Sequence, residues 1–223
     1  MSKLSRGKKG ESQVSDILSS LDGYHKVIDD YTYLNEKTNI SHQIDHILIH
    51  PHGVFVIETK SYYGVIDTNH NDTVWFKTIK GAKTHFSNPL IQNKSHASII
   101  KRMLDKNIDV ISVVVFTRNN APMIDDNVIN INDLVLFVES YPYKRLLNEK
   151  EIDTINKLLL SKGSKVSLKE HKANIEAVKK ATKEKQEDKR IAIEKRICPI
   201  CGNPISTTGY TYYCKKCGYK FSL

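Results

Sequence analysis

The sequence predicts an α/β fold of the α+β kind, with a central mixed sheet flanked by helices, and three observations carry that expectation. Two neighbouring apolar stretches, residues 43–50 and 53–60, have the length and composition of strands and meet at Pro51-His52 as a hairpin would. A third, Val110-Ile-Ser-Val-Val-Val-Phe116, is an unbroken apolar run, the pattern of a strand covered on both faces. Around these lie segments whose apolar residues recur at helical spacing.

Taken in order, residues 10–21 place Val14, Ile17, Leu18 and Leu21 on one helical stripe, with Glu11 in the first turn and Asp22-Gly23 as the stop. Extended segments follow at 24–34, 43–50 and 53–60. Strands at 64–68 and near Trp75 are expected to extend the same sheet. Residues 90–105 read as a helix entered through Asn88 near the N-cap and Pro89 in the first turn. Residues 110–117 and 127–131 read as strands, and 132–139 and 148–160 as helices.

At 223 residues the chain has room for one substantial core and a small appendage. With 39% hydrophobic and 26% charged residues it fits a globular protein rather than a disordered one. No apolar run approaches the ~20 residues of a membrane span. The basic start is followed by no apolar signal core, so a cytoplasmic location and no membrane partner are expected. The formal net charge is +9, and residues 161–196 supply most of it, with twelve Lys/Arg against six Asp/Glu. Such a segment attracts polyanions through counterion release, although a solvated helical face gives the same composition. The expected organisation is a core at 1–160, a basic helical linker at 161–196 and a small cysteine-bearing module at 197–223.

The hairpin carries the chemistry. If its strands pair about Pro51-His52, opposed position numbers sum to 103, which sets Asp45 against Glu58, and Lys60 follows on the same face because strand side chains alternate. Two opposed carboxylates repel unless a cation bridges them. Hard oxygen ligands suit Mg2+ or Mn2+, and a nearby lysine can orient a water for attack on phosphorus. Spacing alone leaves a second reading open, in which the acids line a solvated face and Lys60 makes an ordinary salt bridge.

Gly10-Glu11, Gln43-Ile-Asp-His46, Gly53-Val-Phe-Val-Ile-Glu-Thr-Lys60 with Gly64, Trp75, and Asn88-Pro-Leu-Ile-Gln-Asn93 occur in an order that resembles the nuclease-related domain (NERD) family of the PD-(D/E)xK nuclease superfamily. The resemblance covers roughly residues 7–117. It implies a restriction-endonuclease-like sheet. It also implies Glu11 as the helix carboxylate, Asp45 and Glu58 as metal ligands together with the backbone carbonyl of Thr59, Lys60 as the catalytic lysine, and Gln92 as the polar helix residue near the scissile phosphate. Ile44-Asp45 stands where the superfamily name has Pro-Asp, a departure usual for this group.

Other residues need weighing. His42, His46, His50 and His52 fall within eleven positions, and a zinc site made from them is the minor alternative. His46 and His50 alternate onto the face opposite Asp45, where packed or hydrogen-bonded histidines are ordinary, with His46 able to buttress the site. His96, one turn from Gln92, shares its face as a nucleic-acid contact or a packing residue. Trp75, the lone tryptophan, is expected to anchor a sheet.

All four cysteines lie in Cys198-Pro-Ile-Cys201 and Cys214-Lys-Lys-Cys217. Two CxxC turns present four thiolates to one tetrahedral ion and leave no open position, so a structural Zn2+ is expected in preference to disulfides. The segment resembles the zinc ribbons of topoisomerase tails, with Lys215, Lys216 and Lys220 available to phosphate. Protein docking by the ribbon stays open. The expected function is a Mg2+- or Mn2+-dependent nuclease whose partner is nucleic acid, in the first instance DNA, with a noncatalytic nucleic-acid-binding or adaptor protein as the alternative. Strandedness, cutting mode, pathway and oligomeric state are not encoded in these motifs.

Overall fold

The computed structural model describes residues 3–35, 40–68, 73–163 and 168–222. The chain divides into two compact units, the first comprising residues 1–34 and 42–166 and the second 35–41 and 167–223.

In the first unit a helix α1 (Lys3–Ser19) precedes three strands, β1 (Lys26–Asn35), β2 (Ile40–His50) and β3 (Gly53–Lys60). After β4 (Val65–Asp67), β5 (Val74–Ile79) and β6 (Ala82–Ser87) come helix α2 (Pro89–Met103), β7 (Val110–Phe116) and β8 (Val128–Asn130). A 3-10 turn at Ile131–Asp133 leads into α3 (Leu134–Ser140), and α4 (Glu149–Lys162) closes the unit. The main sheet has the order β1-β2-β3-β7-β8. β2 and β3 are antiparallel, whereas β3, β7 and β8 run parallel, so the sheet is mixed as the sequence predicts.

β3 lies in the middle because its residues can be buried on both faces, and seven of its eight positions are. On one face Leu48, Phe55 and Ile57 pack with Val14 and Leu18 of α1. On the other, Ile47, Val54 and Val56 meet Ala97 and Ile100 of α2 and Ile152, Ile155 and Leu159 of α4. α4 starts with a reciprocal capping box, in which Asn148 Oδ1 accepts the Glu151 amide and Glu151 accepts the Asn148 amide.

The expectation that the strands at 64–68 and Trp75 extend the main sheet is wrong. β4, β5 and β6 form a separate antiparallel sheet. β7 occupies the edge of β3 that they would have used, because a Val-rich strand returning from α2 buries more apolar surface there. Trp75 is fully buried in this second sheet and anchors it on Leu90, Val114 and Phe116. Gly64 makes the sharp entry possible. It has φ +91°, and a Cβ there would lie 2.1 Å from the Thr78 carbonyl oxygen.

In the second unit, helix α5 (Leu168–Lys195) is followed by a three-stranded antiparallel sheet of β9 (Ser206–Thr208), β10 (Thr211–Tyr213) and β11 (Lys220–Ser222), with β10 in the middle. Residues 180–188 of α5 are exposed, and Arg190 pairs with Glu187 and Glu194 along the helix. The expected basic linker therefore contains a long exposed helix. Residues 164–167 of that segment lie outside the described ones.

Candidate functional site

The hairpin register runs from His50↔Gly53 to His46↔Ile57, each pair summing to 103 as the sequence predicts. Asp45 and Glu58 stand just beyond the last of these pairs. Asp45 turns its carboxylate to the Thr59 amide, which donates a 2.8 Å hydrogen bond to Oδ2. A buried N–H is a better neighbour for an anion than a second carboxylate. The Asp45 carboxyl is nevertheless held well above the ordinary carboxylate range by burial and then by the charge of Glu58, against the lowering influence of the Thr59 amide and Lys60.

Glu58 is only 3% exposed. Three side chains converge on it. The Lys60 ammonium forms an ion pair with Oε1. Gln92 Nε2 donates to both oxygens at 3.1 Å. His96 Nδ1 lies 3.9 Å from Oε2. Burial by itself would lower the Lys60 pKa, but the charge and hydrogen bond of Glu58 outweigh it and leave the pKa raised. Lys60 is therefore a cation near neutrality, suited to orienting a water or steadying negative charge and unsuited to taking a proton.

α1 begins at Lys3 rather than near Gly10, so Glu11 lies in its middle and not in a first turn as expected, and from there it reaches the same region. Glu11 falls on the sheet-facing stripe of Val14 and Leu18, and its carboxyl is raised by burial and by Asp30, with a smaller contribution from Glu58. The neighbouring Gly10 lets the helix approach, since a Cβ there would lie 2.9 Å from the Ser61 Cβ at the end of β3. α2 carries Gln92 and is capped by Asn88, whose side chain accepts the Leu90 amide at 2.9 Å with Pro89 in the first turn. Asn93, which sequence reasoning gave no role, is fully buried and donates through Nδ2 to the carbonyls of both Val56 and Val113 at 2.8 Å. Its signal was its place next to Gln92, where a helix period turns one of the two toward the sheet.

The histidines form no metal cluster among the described residues. His46 is buried with Nδ1 2.7 Å from Asp29. His50 accepts the His52 amide and is pushed down to about 4 by burial and by His52, so it packs as a neutral ring. His52 stacks on Tyr143.

Residues 6–117 match the sequence profile of the nuclease-related domain, NERD. The chain belongs to the NERD family. An uncharacterized protein of Bacillus anthracis is 35% identical over 153 residues, 65% of this chain and 71% of the relative. No solved structure matches at a significant level. The matched NERD region runs from α1 to the residue after β7 and includes Glu11, Asp45, Glu58, Lys60 and Gln92. Among the described residues no helix is long and apolar enough to cross a membrane.

Outside the NERD region, Cys198, Cys201, Cys214 and Cys217 gather with all four sulfurs within 4.8 Å of one another. Cys198 and Cys217 sulfurs are 3.6 Å apart, and those of Cys201 and Cys214 3.5 Å. None is in a disulfide. A tetrahedral thiolate shell with Zn–S near 2.3 Å places sulfurs about 3.8 Å apart, so the cluster fits a zinc ion. Each CxxC turn closes in the same way, with Gly202 N–H donating to the Cys198 carbonyl and Gly218 N–H to the Cys214 carbonyl. Hydrogen bonds from Asn203 pull the Cys201 thiol down to about 6. Phe221 stacks on Tyr212 at 5.2 Å and supports the small sheet. Native mass spectrometry is expected to find about one zinc per chain, and Cys198→Ser or Cys214→Ser to lose it and unfold the second unit while the first still melts cooperatively. A zinc-free protein with intact ribbon signals would count against the site.

Proposed function

We propose that the protein is a metal-dependent nuclease that hydrolyses phosphodiester bonds in nucleic acid, most readily DNA. The observation carrying this reading is the convergence of Lys60 and Gln92 on one buried glutamate at the end of β3, within electrostatic reach of the buried Asp45 carboxyl and inside a NERD domain. The donor set is oxygen, from Asp45, Glu58 and the Thr59 carbonyl, and the conflict of charge between Asp45 and Glu58 is of the kind a hard divalent cation relieves. These residues therefore fit Mg2+ or Mn2+. Bound there, the cation would polarise a phosphoryl oxygen and lower the pKa of a coordinated water.

The chain's own residues have separable tasks. Asp45 and Glu58 supply negative charge held in place by the Thr59 amide and the Gln92 amide. The Lys60 ammonium steadies charge on the phosphate or holds the attacking water. Gln92 keeps Glu58 in one orientation, and Glu11 adds negative potential from the helix side. The basic helix and the zinc ribbon, the parts at 161–196 and 197–223, add affinity for the polyanion to a nuclease core at 1–160. Removing residues 168–223 is expected to weaken DNA binding and flatten its salt dependence, read by anisotropy across a salt series. An unchanged slope would leave the helix as a spacer.

A noncatalytic adaptor reading draws on the Lys60–Glu58 ion pair, which also satisfies both groups without a metal. Purified protein incubated with supercoiled plasmid, linear duplex, single-stranded DNA and RNA, each with Mg2+, Mn2+ or chelator, separates the two. Cation-dependent cleavage supports the nuclease, and cation-independent binding without cleavage supports the adaptor.

A further inference from the structure

Beside the Lys60 end of β3 the first unit holds a cavity of about 360 Å3, bounded by Gly7 of α1, by Thr59, Lys60, Tyr62 and Tyr63 as the chain leaves the strand, and by Lys77 of β5. This volume is at the low end of small-ligand sites, roughly 300–1,000 Å3, and has room for one nucleobase with its sugar. The walls are of two kinds. Lys77 Nζ lies 3.9 Å from the centre of the Tyr62 ring, and the Arg118 guanidinium lies 4.3 Å from that of Tyr63. Tyr62 is held from another side by Phe86, with ring centres 4.7 Å apart. Tyr63 is 45% exposed despite its cationic backing. At Gly7 the wall is low, since a Cβ there would meet nothing nearer than Glu11 Oε1 at 3.8 Å.

A nucleotide has the matching parts, an anionic phosphate and a π face. Cations resting on aromatic rings keep positive charge at the cavity without filling it, and a tyrosine fixed on one side by an arginine loses little freedom when a base stacks on it. Lys60 is shared between the cavity and the candidate catalytic cluster, so a base seated here belongs to a nucleotide next to the phosphate under attack.

We propose that this cavity is a nucleobase pocket that accepts one unpaired nucleotide adjoining the scissile phosphate. The inference rests on the nuclease reading and adds the substrate class, nucleic acid with an unpaired base at the cut such as single strands, flaps or frayed ends. A base inside a duplex is stacked on both faces and paired, and reaches a pocket of this kind only after leaving the helix, at a cost of a few kcal/mol.

The test is fluorescence anisotropy of full-length, zinc-loaded protein with a labelled oligo(dT) single strand and a labelled hairpin duplex without added Mg2+ or Mn2+, repeated with Tyr63→Ala, Tyr63→Phe and Lys77→Gln, with thermal melting as the folding control. The expected result is a loss of single-strand affinity of about ten- to a hundredfold in Tyr63→Ala, a smaller loss in Lys77→Gln, near-normal binding in Tyr63→Phe, and little change for the duplex. Equal losses on both probes, or no loss on either, would overturn the pocket. The cleavage panel reads separately. Wild-type protein that binds oligo(dT) through Tyr63 but cuts nothing overturns the nuclease reading and retains the base pocket, and wild-type protein that cuts single strands with Tyr63→Ala unaffected does the reverse.

Discussion

Asp45→Asn and Glu58→Gln are each expected to lower cation-dependent cleavage by roughly a thousandfold or more, because each removes a charged oxygen from a small ligand set. The effect of Asp45→Asn on folding identifies the cause. Asn at position 45 still accepts the Thr59 amide but removes a charge that burial and Glu58 oppose. A carboxyl whose folded pKa is raised keeps its proton to higher pH than the unfolded chain does. Stability of the metal-free protein is therefore full below the unfolded value of about 3.9 and declines as pH rises through the folded value. Asp45→Asn is expected to remove that decline and raise the neutral-pH melting point by a few degrees, at about 2–4 °C per kcal/mol for a protein of this size. Wild-type protein is expected to gain more from added Mn2+ at pH 7.5 than at pH 5.

Lys60→Ala behaves in the opposite way. It strands a glutamate that is 3% exposed, with Gln92 and His96 as its remaining polar partners among the described residues, so metal-free stability falls by roughly 3–5 kcal/mol. Divalent cation is expected to restore the fold without restoring cleavage. Wild-type-like cutting by any of the three variants would remove that residue from the mechanism.

The hairpin was readable in the sequence because the tight Pro51-His52 turn fixes the register of the two strand-length apolar runs that flank it, and the observed pairs follow it. The cysteine cluster was readable because CxxC spacing encodes a local turn. Two things were not. Strand propensity marks Trp75 and its neighbours as strand but cannot say which edge they join, since edges are decided by competition with a distant segment, here β7. Nor could register show that Asp45 bonds the Thr59 amide, because pairing rules place backbone and leave the side chain to choose its partner.

Asn93→Ala is expected to cost roughly 2–4 kcal/mol of stability, large for a polar residue, from two lost hydrogen bonds and a small cavity. The Asn93 amide gives its two protons to Val56 of β3 and Val113 of β7, so it ties α2 to both strands two residues before Glu58 on β3 and one before its partner Val114 on β7. Gln92 is its neighbour and depends on that seat to meet Glu58. Cleavage is expected to fall through kcat with KM nearly unchanged, because a displaced Gln92 frees Glu58 to turn while the surfaces that hold nucleic acid stay intact. Asn93→Asp is the sharper variant. A buried carboxylate facing two carbonyl oxygens has no donor for either, and its pKa rises. The destabilisation is then greatest at neutral pH and shrinks as pH falls and the acid takes up a proton it can donate. Denaturant melts of both variants from pH 5 to 8 check this. A loss in Asn93→Asp that does not vary with pH, or Asn93→Ala with wild-type stability, would show that the clamp does not hold α2 to the sheet.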